Sequence, residues 1–399
     1  MFKRILQCTG ILVLIISVFL GLFLNGAFIG MGVRFFLESR ENVRMFFFST
    51  LLNPQLENAK RTEHNYPSAL GLTPLIYTGE YGFNFEDIPD LTGKRALVTG
   101  ANVGLGYYTS LHLARNGADV VLACRSEKKC NRAAETIRAN ITKGSVEVEI
   151  VDLGSFKQVK GFAKRVSEKY EETGLDILVL NAGFISTGLY LTEDGIESQW
   201  QVNHVSQMYL YEELQDALIL AASERGHATV TAVASNAHYH AKMIPFSISE
   251  INSNENDYVS FDRYSETKLA NVLFTMEAQR RIEELSKHVY VNSVHPGMVA
   301  TEFVRESNVK VFVGEYLGKK IYQFIKNFIA KTAWDSETAS LTQIYTAVSP
   351  EIQEKNIKAG YFHPIARSVS KLNVLATSEN AAKLWKSTED LLNSKLSRF

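Results

Sequence analysis

The sequence predicts an α/β fold: a doubly wound parallel sheet, preceded by an N-terminal transmembrane anchor and closed by a C-terminal helical substrate cap. Three observations carry this. Six short β-branched runs, RALVT, ADVVLAC, VEVEIV, DILVL, ATVTAV and VYVNSV, recur from Lys94 onward. They show little polar alternation, as strands buried on both faces do, and the stretches between them suit crossover helices. The amino terminus, by contrast, carries no charged residue between Arg4 and Arg34.

That apolar stretch, at roughly 1.5 Å rise per residue, exceeds a hydrocarbon core of about 30 Å. It is longer than the core of a cleaved signal peptide and no small-x-small cleavage site follows it. Residues 1–36 are therefore read as a retained single-pass anchor, in the endoplasmic reticulum membrane. Residues 37–90, with Pro54, Pro67, Pro74 and Pro89 and no sustained period, read as a linker that hugs the surface. The sheet domain spans 91–302. Residues 303–399 read as an amphipathic, aromatic cap (Phe303, Phe312, Tyr316, Tyr322, Phe324, Phe328) and further helices around 333–347 and 378–396, placed over the open end of the sheet.

At 399 residues the chain has room for two average domains, or for one large α/β domain with extensions. A net charge of −1, with Lys and Arg scattered rather than striped, leaves no footprint for nucleic acid. Only Cys8, Cys124 and Cys130 occur, with no CxxC and no Cys/His pairing, which argues against a zinc site and against a disulfide framework.

The chemistry-bearing residues follow the strands in order. The first run feeds into Thr99-Gly100-Ala101-Asn102-Val103-Gly104-Leu105-Gly106. Glycines between a strand and a helix let backbone N–H groups and the helix dipole approach a pyrophosphate, the Rossmann-type arrangement. At the tip of the second run a carboxylate would select NAD through the ribose hydroxyl, whereas an arginine pairs with a 2′-phosphate. The run ends Ala123-Cys124-Arg125-Ser126, so the local choice is NADP(H) rather than NAD(H). Asp152, followed by Leu153, closes the third run and can accept from an adenine amino group. Asn181-Ala182-Gly183 closes the fourth with small residues that leave room at the sheet's open edge.

Tyr264 and Lys268 stand one helical turn apart, on one face at a separation of about 6 Å. An ammonium beside a phenol lowers the phenol's pKa and fits it for acid–base work near neutrality. Helical spacing alone does not separate this pair from chance. Ser235, at the end of the fifth run, supplies a hydroxyl for a substrate oxygen, and Asn203, in the helix after the fourth run, is placed to order a water.

Together these motifs resemble the short-chain dehydrogenase/reductase family, in its retinol-dehydrogenase-type branch, over roughly residues 90–347. TGANVGLG, LACRS, NAG, QVNHVSQ, VASNAHYH, YSETKLANVLFT and HPGMVATE stand in the family's order. The resemblance implies that Asn203, Ser235, Tyr264 and Lys268 are catalytic. It implies that Gly100, Asn102, Gly104, Leu105, Gly106, Arg125, Asp152, Leu153, Asn181, Ala182, Gly183, Tyr264, Lys268, Pro296, Gly297 and Thr301 hold the cofactor, NADP(H). It also implies a homodimer through the helices after the fourth and fifth runs. The expected activity is hydride transfer to or from the carbonyl/hydroxyl carbon of a lipophilic substrate delivered from membrane lipid: retinoid-, steroid- or fatty-aldehyde-like.

The chain departs from the pattern at Ala234, Thr267 and Ser206-Gln207, and in a long polar segment from Asn236 to Phe261 that should reshape the substrate mouth. Two rival readings stand beside the enzyme: a cofactor-binding scaffold without significant turnover, and a lumenal glycoprotein using the single acceptor Asn140-Ile141-Thr142.

Overall fold

The computed structural model describes residues 82–297, 299, 334–370 and 372–397. The anchor expected at 1–36, most of the linker, Thr301 and the aromatic stretch 303–332 lie outside the described residues. Among those described, no helix is long and apolar enough to cross a membrane.

All six runs form strands: β1 (Arg95–Thr99), β2 (Asp119–Cys124), β3 (Ser145–Ile150), β4 (Ile177–Leu180), β5 (Ala228–Val233) and β6 (Val289–Val294). They pair in parallel in the order β3-β2-β1-β4-β5-β6, so the winding reverses between β1 and β4. Two further strands extend the sheet beyond β6: β7 (Tyr361–His363), parallel, and β8 (Arg367–Ser368), antiparallel. Both are too short to carry a sequence period, which is why the runs did not reveal them.

Alternate residues of each strand face opposite layers. Leu97, Val121 and Leu178 join one apolar core; Ala96, Val98, Val120 and Val179 join the other. Among the described residues, eight helices of eight or more residues build the layers: α1 (Gly104–Arg115), α2 (Glu127–Arg138), α3 (Phe156–Lys169), α4 (Ser206–Glu213), α5 (Gln215–Arg225), α6 (Ser260–Leu285), α7 (Ser336–Val348) and α8 (Ser378–Leu396). Helices α1 and α7 pack together on one face; α3, α4 and α6 cover the other.

Helices α7 and α8 do not form the expected cap over the sheet's open end. Every residue of α7 from Ala339 to Val348 is buried, Ser340, Thr342, Gln343 and Thr346 included, so the helix lies inside a layer, here against α1 and β5. Helix α8 has a stripe of Ala381, Leu384, Trp385, Thr388 and Leu392 and lies on α6. Its Trp385 stacks on Phe274, meets Tyr211 edge-on and carries the Arg281 guanidinium 4.6 Å above its ring. Thus α8 lies across α4 and α6, the surface through which a dimer was expected.

The cysteine reading also needs correction. Cys124 and Cys130 form a disulfide, with Cα atoms 6.0 Å apart. The chain reverses between the end of β2 and the first turn of α2, bringing together two thiols that sequence spacing alone did not pair.

Opposite the open end, Asp176 ties the sheet's other edge. Its carboxylate, 2% exposed, accepts from Lys94 Nζ at 3.1 Å, Arg95 N at 3.0 Å and Arg225 Nε at 2.7 Å. Asp176→Ala should lower the unfolding free energy by roughly 2–3 kcal/mol in a denaturant titration, less than a fully buried pair, because both cations remain partly hydrated.

Candidate active site

The carboxyl ends of β1, β4, β5 and β6 meet at one edge. At β1 the glycine turn is a steric requirement. Gly100 (φ 67°) and Gly104 (φ 59°) take left-handed backbone conformations. A Cβ on Gly106 would stand 2.5 Å from both Gly100 O and Asn181 Nδ2. No side chain caps the start of α1, where Val103 is 65% exposed, so its first N–H groups are left for an anion. Arg125 is exposed just beyond β2 and forms no ion pair among the described residues. Uncapped donors, a glycine cradle and a nearby guanidinium are the donor set a dinucleotide phosphate requires.

Asp152 is half-buried after β3, and one of its oxygens already accepts from Gly154 N at 2.8 Å. Leu153 is buried, its carbonyl taking the Ser206 hydroxyl at 2.7 Å. Pro296 is buried past β6. Gly297 (φ 94°) has Trp334 so close that a Cβ would lie 2.5 Å from its ring.

Thr99 and Gln207 emerge as structural centres that the sequence reading passed over. Thr99 Oγ1 accepts from Asn181 N and Ala182 N, both at 2.9 Å, and donates to Gln207 Oε1 at 3.0 Å. The Gln207 amide in turn donates to Ala182 O, and Asn181 Nδ2 donates to Thr99 O at 2.8 Å. The Ser206-Gln207 departure therefore fastens the ends of β1, β3 and β4 to α4. Only the hydrogen-bonding capacity of Thr and Gln at a strand end and a helix start could have signalled it.

Asn203, Ser235, Tyr264 and Lys268 do come together. Ser235 hydrogen-bonds the Tyr264 phenol. Lys268 Nζ lies 5.5 Å from the Tyr264 ring centroid and donates to Val233 O at 2.8 Å. A Cβ on Gly183 would stand 3.2 Å from Lys268 Nζ and 3.3 Å from Asn203 Oδ1. Asn203 sits in a π-helical turn, Gln201–Val205, ahead of α4 rather than within a regular helix. Its Oδ1 accepts from Phe184 N, and its Nδ2 donates to Phe184 O and Thr267 Oγ1. That amide fixes the backbone after Gly183.

The electrostatics also differ from expectation. Burial pushes the Tyr264 phenol up to about 12, opposed by the Ser235 hydrogen bond, and burial lowers Lys268 to about 8. Both groups lose hydration in the same low-dielectric place, and this outweighs the attraction expected to depress the phenol.

Comparison with known proteins agrees with this geometry. The short chain dehydrogenase family profile matches residues 94–311. An uncharacterized oxidoreductase of Schizosaccharomyces pombe is 34% identical over 75% of this chain and 86% of its own length. Human retinol dehydrogenase 13 is 34% identical over 74% of this chain and 83% of its own. A crystal structure of an uncharacterized protein from Mycobacterium paratuberculosis superposes with a TM-score of 0.59 at 28% identity, covering 78% of this chain and 98% of that one. The chain belongs to the short-chain dehydrogenase family, on its retinol-dehydrogenase-like side. It is an NAD(P)-dependent oxidoreductase acting on CH–OH/C=O groups.

Thr99→Val keeps the shape of the side chain but removes the acceptor of Ala182 N and one of the two acceptors of Asn181 N, which keeps Val179 O at 3.0 Å. The expected loss is about 2 kcal/mol, read as a lowered thermal midpoint.

Proposed function

We propose that this chain is an NADP(H)-dependent reductase of lipophilic carbonyl compounds, retinoid-, steroid- or fatty-aldehyde-like, held at a membrane by residues 1–36. The observation that carries the reading is the convergence of Ser235, Tyr264 and Lys268 beside Gly183. The retinoid-like option draws on the likeness to human retinol dehydrogenase 13.

The turn Gly100–Gly106, with Asn102 and Leu105 in it, would hold the cofactor's phosphates and Arg125 the 2′-phosphate. Asp152 and Leu153 would flank the adenine, and Asn181–Gly183, Pro296 and Gly297 the nicotinamide half. When bound, the cofactor supplies the hydride to the carbon that carries the oxygen. Everything else is done by the protein. Tyr264, a protonated phenol at neutral pH, donates its proton to the substrate oxygen, while the Ser235 hydroxyl holds that oxygen in place. The Lys268 ammonium stabilises the phenolate left behind. Val233 O takes one of its three N–H donors, leaving the others for ribose hydroxyls. Asn203 holds the main chain of Phe184 and the Thr267 hydroxyl, and so fixes the floor beneath Lys268. A phenol raised to about 12 stays protonated at neutral pH and so stands in the form that reduction requires.

Assays of membrane fractions with NADPH and a panel of retinoid, steroid and fatty aldehydes should show turnover that Tyr264→Phe lowers by about 10²–10⁴-fold. Arg125→Ala should weaken NADPH binding by about tenfold and leave NADH binding unchanged. Equal affinity of the native chain for the two cofactors would overturn the NADP(H) choice. Cofactor binding without turnover of any carbonyl would favour the scaffold reading.

The pH profile has a definite sign. Lys268 is charged below about 8 and neutral above it. Reductive kcat/KM should therefore hold on the acid side and fall as pH rises through about 8.

A further inference from the structure

A buried polar atom without a partner has given up its bonds to water for nothing, so folded proteins keep few of them. At the carboxyl ends of β5, β6 and β7 several stand together. His295 is 2% exposed and, among the described residues, neither ring nitrogen has a hydrogen-bond partner. Tyr361, equally buried, has an unpaired hydroxyl, and Nε2 is unpaired in both His238 and His363. The rings are contiguous. His238 meets Tyr361 edge-on at 4.8 Å, and His363 lies 5.3 Å from both Tyr361 and His295.

This cluster adjoins the catalytic group. His238 Nδ1 lies 2.7 Å from the Ser235 carbonyl, the Lys268 charge acts on His295, and Tyr264 acts on Tyr361. Burial holds His238 down at about 3, His363 at about 4 and His295 well below its usual range, so all three imidazoles are neutral. A neutral imidazole offers one N–H and one lone pair. His238 Nδ1 carries the hydrogen that faces Ser235 O, which leaves Nε2 as an acceptor. The cluster thus combines donors and acceptors without net charge. It has no cation of its own for a carboxylate, and Lys268 repels an ammonium. The group that satisfies it is neutral and both donates and accepts.

We propose that His238, His295, Tyr361 and His363 form a hydrogen-bonding subsite for a neutral hydroxyl group of the substrate, separate from the oxygen that reacts. The proposal rests on the carbonyl-reductase reading. It makes the substrate lipophilic in bulk but hydroxylated close to its carbonyl. Sites built to hydrogen-bond a hydroxyl discriminate strongly against analogues that lack it, because the site's own polar atoms then stay unpaired. The nicotinamide carboxamide shares this neutral donor–acceptor chemistry, so the test separates the two sources.

The full chain carrying Tyr264→Phe, loaded with NADPH so that no turnover intervenes, is titrated calorimetrically. The probes are medium-chain aldehydes with and without a hydroxyl on each of the carbons nearest the carbonyl. One hydroxylated aldehyde should bind about tenfold tighter than its plain partner. Adding Tyr361→Phe or His363→Leu should abolish that preference and leave the NADPH dissociation constant unchanged. In the otherwise native chain, Tyr361→Phe should melt no lower than wild type, since the hydroxyl it deletes has no partner. The proposal is overturned by the absence of any preference, or by a preference the variants leave intact. It is equally overturned by a weakened NADPH affinity, which assigns the cluster to the carboxamide, or by a lowered melting temperature, which assigns it to the fold. A preference lost in the variants, in a native chain that reduces neither aldehyde, keeps the subsite and refutes the reductase reading alone.

Discussion

A parallel sheet buried on both faces runs out of partners where its strands end. The last backbone groups of β1 and β4 have no further ladder to join, and they lie where side chains must also leave space. The Thr99 hydroxyl resolves this by accepting two backbone N–H groups of the next strand's turn while donating to Gln207. Because that bond set draws Asn181 onto Thr99, Asn181 Nδ2 comes to lie where a Gly106 side chain would be. The glycine turn, the turn after β4 and the start of α4 are therefore one mutually dependent unit. Gly183, at the end of that unit, lies beside Lys268 and Asn203.

Burial, more than pairing, sets the acid–base character of what sits there. Tyr264 and Lys268 move in opposite directions, each toward its neutral form, as desolvation requires of an acid and a base. His238 and His363 follow the same rule. The edge of β5, β6 and β7 is thus polar but nearly uncharged, with Lys268 the one cation among these groups. Such an environment favours a proton donor that stays protonated until the substrate oxygen acquires charge, and it strengthens the interaction of Lys268 with the phenolate that results.

What the sequence made legible was local. Each of the six runs and the glycine turn depend on residues within a few positions of one another, and Tyr264 and Lys268 depend on a single helical turn. All fell where expected. What it concealed was long-range. Thr99 meets Gln207 and Asn181 only after the strands align, and Tyr361 lies on a three-residue strand that has no pattern. The Cys124–Cys130 bond depends on a reversal of the chain, and the placement of α7 and α8 on which layers remained uncovered. Asn203 was legible as a residue, but not its π-helical turn, because a widened helix has no compositional mark.

The segment from Asn236 to Phe261 shows how polarity in a sequence can mislead about freedom in a fold. Lys242, Glu250, Glu255 and Asp257 stay exposed, but Tyr258 turns its hydroxyl inward and ties the segment to the fold. Glu197, wholly buried, accepts from Gln199 N, Trp200 N and the Tyr258 hydroxyl, with Arg263 at 4.0 Å. Tyr258 also meets Ser186, in the turn that follows Gly183. Arg263, next to Tyr264, pairs with Glu266 and donates to Glu250 O and Ser253 Oγ. Two walls of the active site, the turn after β4 and the approach to α6, are thereby bolted to each other through one carboxylate. A buried carboxylate is tolerated only when hydrogen bonds replace its hydration, and here those bonds also fix the position of the residue before the proton donor. It is the buried Tyr258 of this segment, with Glu197 beside it, that serves rigidity at the site, while the segment's charges face solvent.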